Sequence, residues 1–147
     1  TPSDREHIDN HTHLEHIKPN CFSSECYKGI INDKATGVFN GKVVVHQDAQ
    51  KIMAYQQNNN ILLSDDAVVN AKPELEIYAD DVKCSHGSTT GQIDEDALFY
   101  LQARGISKSA SLQLLMVGFI DEVLQSVQLE EVKDFYSNKM ESLLASN

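Results

Sequence analysis

Residues 73–91 read P-E-L-E-I-Y-A-D-D-V-K-C-S-H-G-S-T-T-G. The segment opens as an alternating strand, Leu75–Tyr78, passes the pair Asp80-Asp81, and continues through Val82 to His86. In an extended chain, side chains two residues apart share a face. Cys84 and His86, a thiol and an imidazole, are therefore expected side by side. A Gly, Ser and Thr cluster follows, after which the hydrophobic period changes from that of a strand to that of a helix. The segment thus divides the chain into a β part, residues 1–93, and a helical part, residues 94–147.

Working back from the junction, apolar runs read as strands at Val68–Asn70, Ile61–Ser64, Ile52–Gln57, Val38–His46 and Cys26–Asn32. Gly41 interrupts the run at Val38–His46 as a bulge or a close approach. Asn58-Asn59-Asn60 reads as a turn, although asparagines also stack in ladders along β-solenoids. Strand centres recur at roughly 12–18 residues, against the 8–12 usual in a sandwich. That spacing fits the coils of a parallel β-helix, with a sandwich as the alternative. Residues 1–20 carry His7, His11, His13 and His16. They suit either metal ligands or an extended, half-exposed β edge. No Cys or carboxylate spacing nearby matches a closed zinc site, which favours the edge.

Forward of the junction, Asp94 reads as an N-cap with Glu95 and Asp96 in the first turn. Ala97, Leu98, Leu101 and Ile106 form the stripe of a first helix, which Arg104-Gly105 ends. Ser107 caps a second helix running to about Val127. It is apolar around most of its circumference, so it packs on more than one side or meets a partner. A third helix runs from Leu129 to about Ala145 with the stripe Val132, Phe135, Tyr136, Met140, Leu143 and Leu144.

The chain has 147 residues and a net charge of −10. That balance argues against nucleic-acid binding, which needs a basic patch to displace counterions. No apolar run approaches the ~18 residues of a membrane span. Three cysteines supply no disulfide framework, with Cys21–Cys26 the one conceivable bridge. The chain starts without Met or a signal peptide and reads as part of a longer, cytoplasmic protein. Gly37–Val43, G-V-F-N-G-K-V, fails as a phosphate loop: three residues separate its glycines and no Ser or Thr follows Lys42. Asp65-Asp66 and Asp80-Asp81 are poor acid–base pairs, because neighbours on a strand face opposite ways. Cys84 and His86 remain. On spacing alone they read either as a small buried thiol and a satisfied histidine, or as half of a metal site completed by another chain.

Four stretches then carry a resemblance. They are Y-K-G-I-I-N-D-K-A-T-G-V-F-N-G-K-V-V-V from Tyr27, A-Q-K-I-M-A-Y-Q-Q-N-N-N-I-L-L-S-D from Ala49, P-E-L-E-I-Y-A-D-D-V-K-C-S-H-G-S-T-T-G-Q-I-D from Pro73 and L-F-Y-L-Q-A-R-G-I from Leu98. From about Asn10 to the C-terminus the chain resembles the SufD family of iron–sulfur cluster assembly proteins, as a C-terminal fragment. The paralogous SufB family carries a carboxylate near the histidine, where this chain has Gly87. The resemblance implies a right-handed parallel β-helix followed by a C-terminal helical domain. It implies a non-catalytic scaffold subunit, with a SufB-type partner on the β-helix and a SufC-type ATPase on the helices. His86, with Cys84 as a co-ligand, would contribute to iron or cluster entry at the SufB interface. The iron or iron–sulfur cluster would be transient, and none is expected on the isolated fragment. An open β edge on the fragment would favour self-association as a homodimer. The alternatives are a β-helix enzyme acting on carbohydrate and a standalone metal-binding domain built on the N-terminal histidines.

Overall fold

The computed structural model describes residues 2–145. Six strands precede three helices: β1 His7–His16, β2 Phe22–Ile31, β3 Thr36–Val45, β4 Ile52–Leu62, β5 Val68–Ile77, β6 Val82–Gln92, α1 Glu95–Ala103, α2 Lys108–Leu124 and α3 Glu130–Ala145. The described residues form two compact units, 2–90 and 91–145.

In the first unit the strands alternate between two parallel sheets, ordered β1-β3-β5 and β2-β4-β6. Partners in successive layers lie 29 residues apart in β1–β3, 31 in β2–β4 and 32 in β3–β5. The repeating element is therefore a coil of two strands and two turns, the arrangement of a β-helix-like fold. The turns repeat with the strands. Asp4 and Asp33 take positive φ (54° and 50°) before β1 and β3, and Asn20 and Lys51 (61° and 59°) do so before β2 and β4. Aspartate and asparagine tolerate the left-handed region best among residues with a side chain, which makes Lys51 the costlier member of the set.

Alternation sorts the side chains. Val43, Val45, Ala49, Ile52, Ala54 and Ala79 form a buried cluster, with Leu14, Leu75, Val82 and Cys84 against it. A second cluster joins Ile31, Ala35 and Ala67. Between the two apolar ends β4 turns polar, with Gln56, Asn58 and Asn60 all buried. Asn60 Nδ2 donates to Asn58 Oδ1 at 2.6 Å.

Several sequence expectations change here. Asn58–Asn60 is strand interior and not a turn, because buried amides satisfy one another along the interior face. The two short strands expected at 52–57 and 61–64 are one, β4. Those expected at 68–70 and 75–78 are likewise one, β5. Pro73 sits inside β5, an edge strand among the described residues, where a missing N–H can be spared. The Gly, Ser and Thr run after His86 continues as strand: Thr89 Oγ1 donates to Asn59 Oδ1 at 2.9 Å.

Gly41 is no bulge, since the β1–β3 and β3–β5 registers run through it unbroken. It is a close approach. A Cβ there would lie 2.5 Å from Phe39 Cζ and 2.6 Å from the buried Gln56 Nε2. Gly41→Ala is expected to destabilise the β unit by about 1–3 kcal/mol through overpacking. An unchanged denaturation midpoint would refute that reading.

In the helical unit, the Asp94 side chain accepts from the N–H groups of Asp96 and Ala97 (2.9 and 3.1 Å), and Ser107 Oγ accepts from Ala110 N–H (3.2 Å). Both caps stand where the sequence places them. The helix α2 buries Ser111, Met116 and Leu124 and packs against α1 and α3. Phe99, Tyr100, Leu114, Leu129, Phe135 and Tyr136 remain exposed. The side chains of Leu143 and Leu144 lie outside the described residues.

Candidate functional site

The interior face of β6 begins with Val82 and Cys84, both packed on the apolar cluster. Burial pushes the Cys84 thiol above the usual range, and a backbone hydrogen bond at Ala54 opposes it only partly. Cys84 is thus held as a neutral thiol beside core side chains. From Ser85 onward the strand is exposed. Alternation puts His86 in the same row as Cys84, one step further toward solvent.

His86 borders a cleft of about 290 Å³ crossing three adjacent strands: Ser24, Glu25 and Cys26 of β2, Tyr55, Gln56 and Gln57 of β4, and Ser85, His86 and Gly87 of β6. Glu25 and Gln56 are register partners, and Gln56 Nε2 donates to Glu25 Oε2 at 2.7 Å. Cys26 is an exposed free thiol. Its strand is separated from β6 by β4, so Cys26 and His86 approach the cleft from opposite sides. Sequence reasoning passed over Glu25, Cys26, Tyr55 and Gln56 as companions of His86. The signal that finds them is the coil repeat, which brings residues about 30 apart to one level of the stack.

The cleft offers an imidazole, a carboxylate, a thiol and hydroxyls. These groups are a mixed set of oxygen, nitrogen and sulfur donors. Among the described residues no three His, Cys, Asp or Glu side chains gather to hold a metal ion. Any ion bound at His86 would need ligands from elsewhere.

The N-terminal histidines do not meet this cleft. His7, His11 and His13 are exposed. His11 Nε2 stands 2.9 Å from Asp9, while His13 and His46 flank Glu15 at 2.8 and 3.1 Å. Hydrogen bonds from His13 first, then His46, hold the Glu15 carboxyl below its usual range. His16 is buried in the interior, contrary to the expectation of a half-exposed edge. Cys21, Cys26 and Cys84 are all free, so no Cys21–Cys26 bridge forms. No helix among the described residues is long and apolar enough to cross a membrane.

Comparison with known proteins adds a family. Residues 1–119 match the family model described as SUF system FeS cluster assembly, SufBD core domain. The chain is 44% identical over 132 residues to the iron–sulfur cluster assembly protein SufD of Escherichia coli (strain K12), covering 90% of this chain and 31% of that protein. It is 40% identical over 129 residues to an iron–sulfur cluster assembly SufBD family protein of Synechocystis, covering 88% and 28%. It is 38% identical over 138 residues to the chloroplastic protein ABCI7 of Arabidopsis thaliana, covering 93% and 29%. The chain spans about a third of the length of these curated relatives.

Proposed function

The chain belongs to the SufD family of the SUF iron–sulfur cluster assembly system, and we propose that it acts as a non-catalytic scaffold joining a SufB-type subunit to a SufC-type ATPase. The observation that carries the reading is the long, specific match to SufD, combined with a cleft at His86 that is incomplete as a metal site by itself. In this reading the iron or cluster is cargo. His86 receives it where the β unit meets the SufB-type partner, and ligands from that partner finish the site. Cys84 is the weaker co-ligand, because its thiol is packed on the core and kept protonated. We take the β-helix to be right-handed, the hand of about 98% of parallel crossovers, and the protein to be cytoplasmic. The first-coil strands β1 and β2, like β5 and β6, are sheet edges among the described residues, and unpaired edges favour pairing with another chain. A second copy can occupy that place when the SufB-type subunit is missing.

The ATPase is assigned to the helical unit, whose exposed aromatic and aliphatic side chains are numerous for so small a domain. Phe99 and Phe135 are 72% and 60% exposed. Their replacement by Asp should leave folding unchanged and cut recovery of the ATPase in a pull-down at least tenfold, as for loss of an aromatic hot spot worth ~1.4 kcal/mol or more. Undiminished recovery with folded variants would remove the helices from the ATPase interface.

A further inference from the structure

His16, the last residue of β1, is 6% exposed. Its Nε2 lies 2.9 Å from Ser23 Oγ, across the turn that joins β1 to β2. Its register partner on β3 is Val45, which is fully buried. The charged group acting on the ring is Glu25 of β2. The nearer carboxylate in sequence, Glu15, faces outward and is held by His13 and His46. The ring therefore spans the first turn from inside, on a single hydroxyl partner among the described residues. We propose that His16 is an acid-sensitive latch on the first coil: on taking up a proton its ring leaves the interior, and β1 and β2 open around their joining turn.

The physics is that of a buried base. A neutral imidazole needs little beyond the Ser23 hydroxyl. An imidazolium in the same place has lost its water and gains no hydrogen-bonded carboxylate in return. Glu25 offsets this only in part, since burial outweighs it and holds the ring below the usual imidazole range. The sign follows. Stability from the neutral buried ring is fully present above the unfolded value of about 6.5 and is lost as pH falls through the lower folded value. Glu15 and Glu74, held below the ordinary carboxylate value, lose their pairing only at more acid pH. The range from about pH 7.5 to 5.5 therefore leaves these carboxylate pairs in place, and a variant of the outer-face His13 separates His16 from the surface imidazoles paired with Asp9 and Glu15.

The test is hydrogen–deuterium exchange on the intact protein at those two pH values, corrected for intrinsic exchange. Protection in 7–31 should fall by up to about tenfold per pH unit below about 6.5, the signature of one proton taken up on opening. His16→Gln, neutral at both pH values, should lose the response, and the outer-face variant His13→Gln should keep it. Equal protection in wild type at the two pH values overturns the proposal, as does a response that survives in His16→Gln or vanishes in His13→Gln. Should His16→Gln fail to fold, the wild-type ring is followed by NMR: titration in step with opening of 7–31 supports the latch, and titration with the strands closed overturns it.

Discussion

Replacing His86 by Ala is expected to leave the fold and the assembled complex intact while reducing iron–sulfur cluster formation by about 10–100-fold, the range known for groups that support a metal site. The expectation has two parts. His86 is exposed on the last strand and belongs to neither buried cluster, so trimming it opens no core cavity. Its imidazole is the one ring nitrogen donor lining the cleft, so on the proposed reading its loss removes the donor offered to the cargo. Cys84→Ala should differ in kind. It removes a thiol packed on the core and should cost stability of about 1 kcal/mol, roughly one buried methylene, with a smaller effect on cluster yield. Activity of a cluster-dependent enzyme in cells carrying each variant, beside a thermal melt of the purified protein, separates the two. Normal enzyme activity in His86→Ala cells would remove the site without touching the scaffold assignment.

Ile52→Ala should unfold the β unit more readily than any cleft substitution. Ile52 is 1% exposed at the start of β4, among Val43, Val45, Ala49, Ala54 and Ala79. Three of those neighbours are alanines, with no side-chain freedom to swing into the space left behind. The transfer and cavity terms together come to about 2–5 kcal/mol. Against a total of roughly 5–15 kcal/mol for a domain, this is a large part of the margin. Ile52→Val, removing one methylene, should cost about 0.5–1.5 kcal/mol. Urea denaturation followed by circular dichroism measures both. Equal midpoints for the two variants would show that the cluster is not the core of this unit.

What the chain reveals before its structure depends on how local the cause is. Asp94 and Ser107 announce their helices because a cap is settled within four residues. The β unit is harder to read. Its strands are ten or eleven residues long, but the interior faces of β4 and β6 change from apolar to polar midway. A hydrophobicity reading therefore cuts β4 at Asn58 and ends β6 at His86. Pro73 breaks β5 in the sequence and not in the fold, since edge position is a tertiary fact. The site is partly visible in the same way. His86 and Cys84 are found by local spacing and motif. Glu25, Cys26 and Gln56 are brought to the cleft by a coil offset that no short window contains. Cys84 and His86 share a row yet differ in surroundings, because the apolar cluster ends between them.

The most direct test of the scaffold reading is co-expression of the whole protein with a SufC-type ATPase and a SufB-type subunit, followed by native mass spectrometry of the affinity-purified material. The account predicts one assembly containing all three chains, with the ATPase alone lost when Phe99 and Phe135 are replaced by Asp. Recovery of the protein free of both partners, with all three chains expressed and folded, would contradict it.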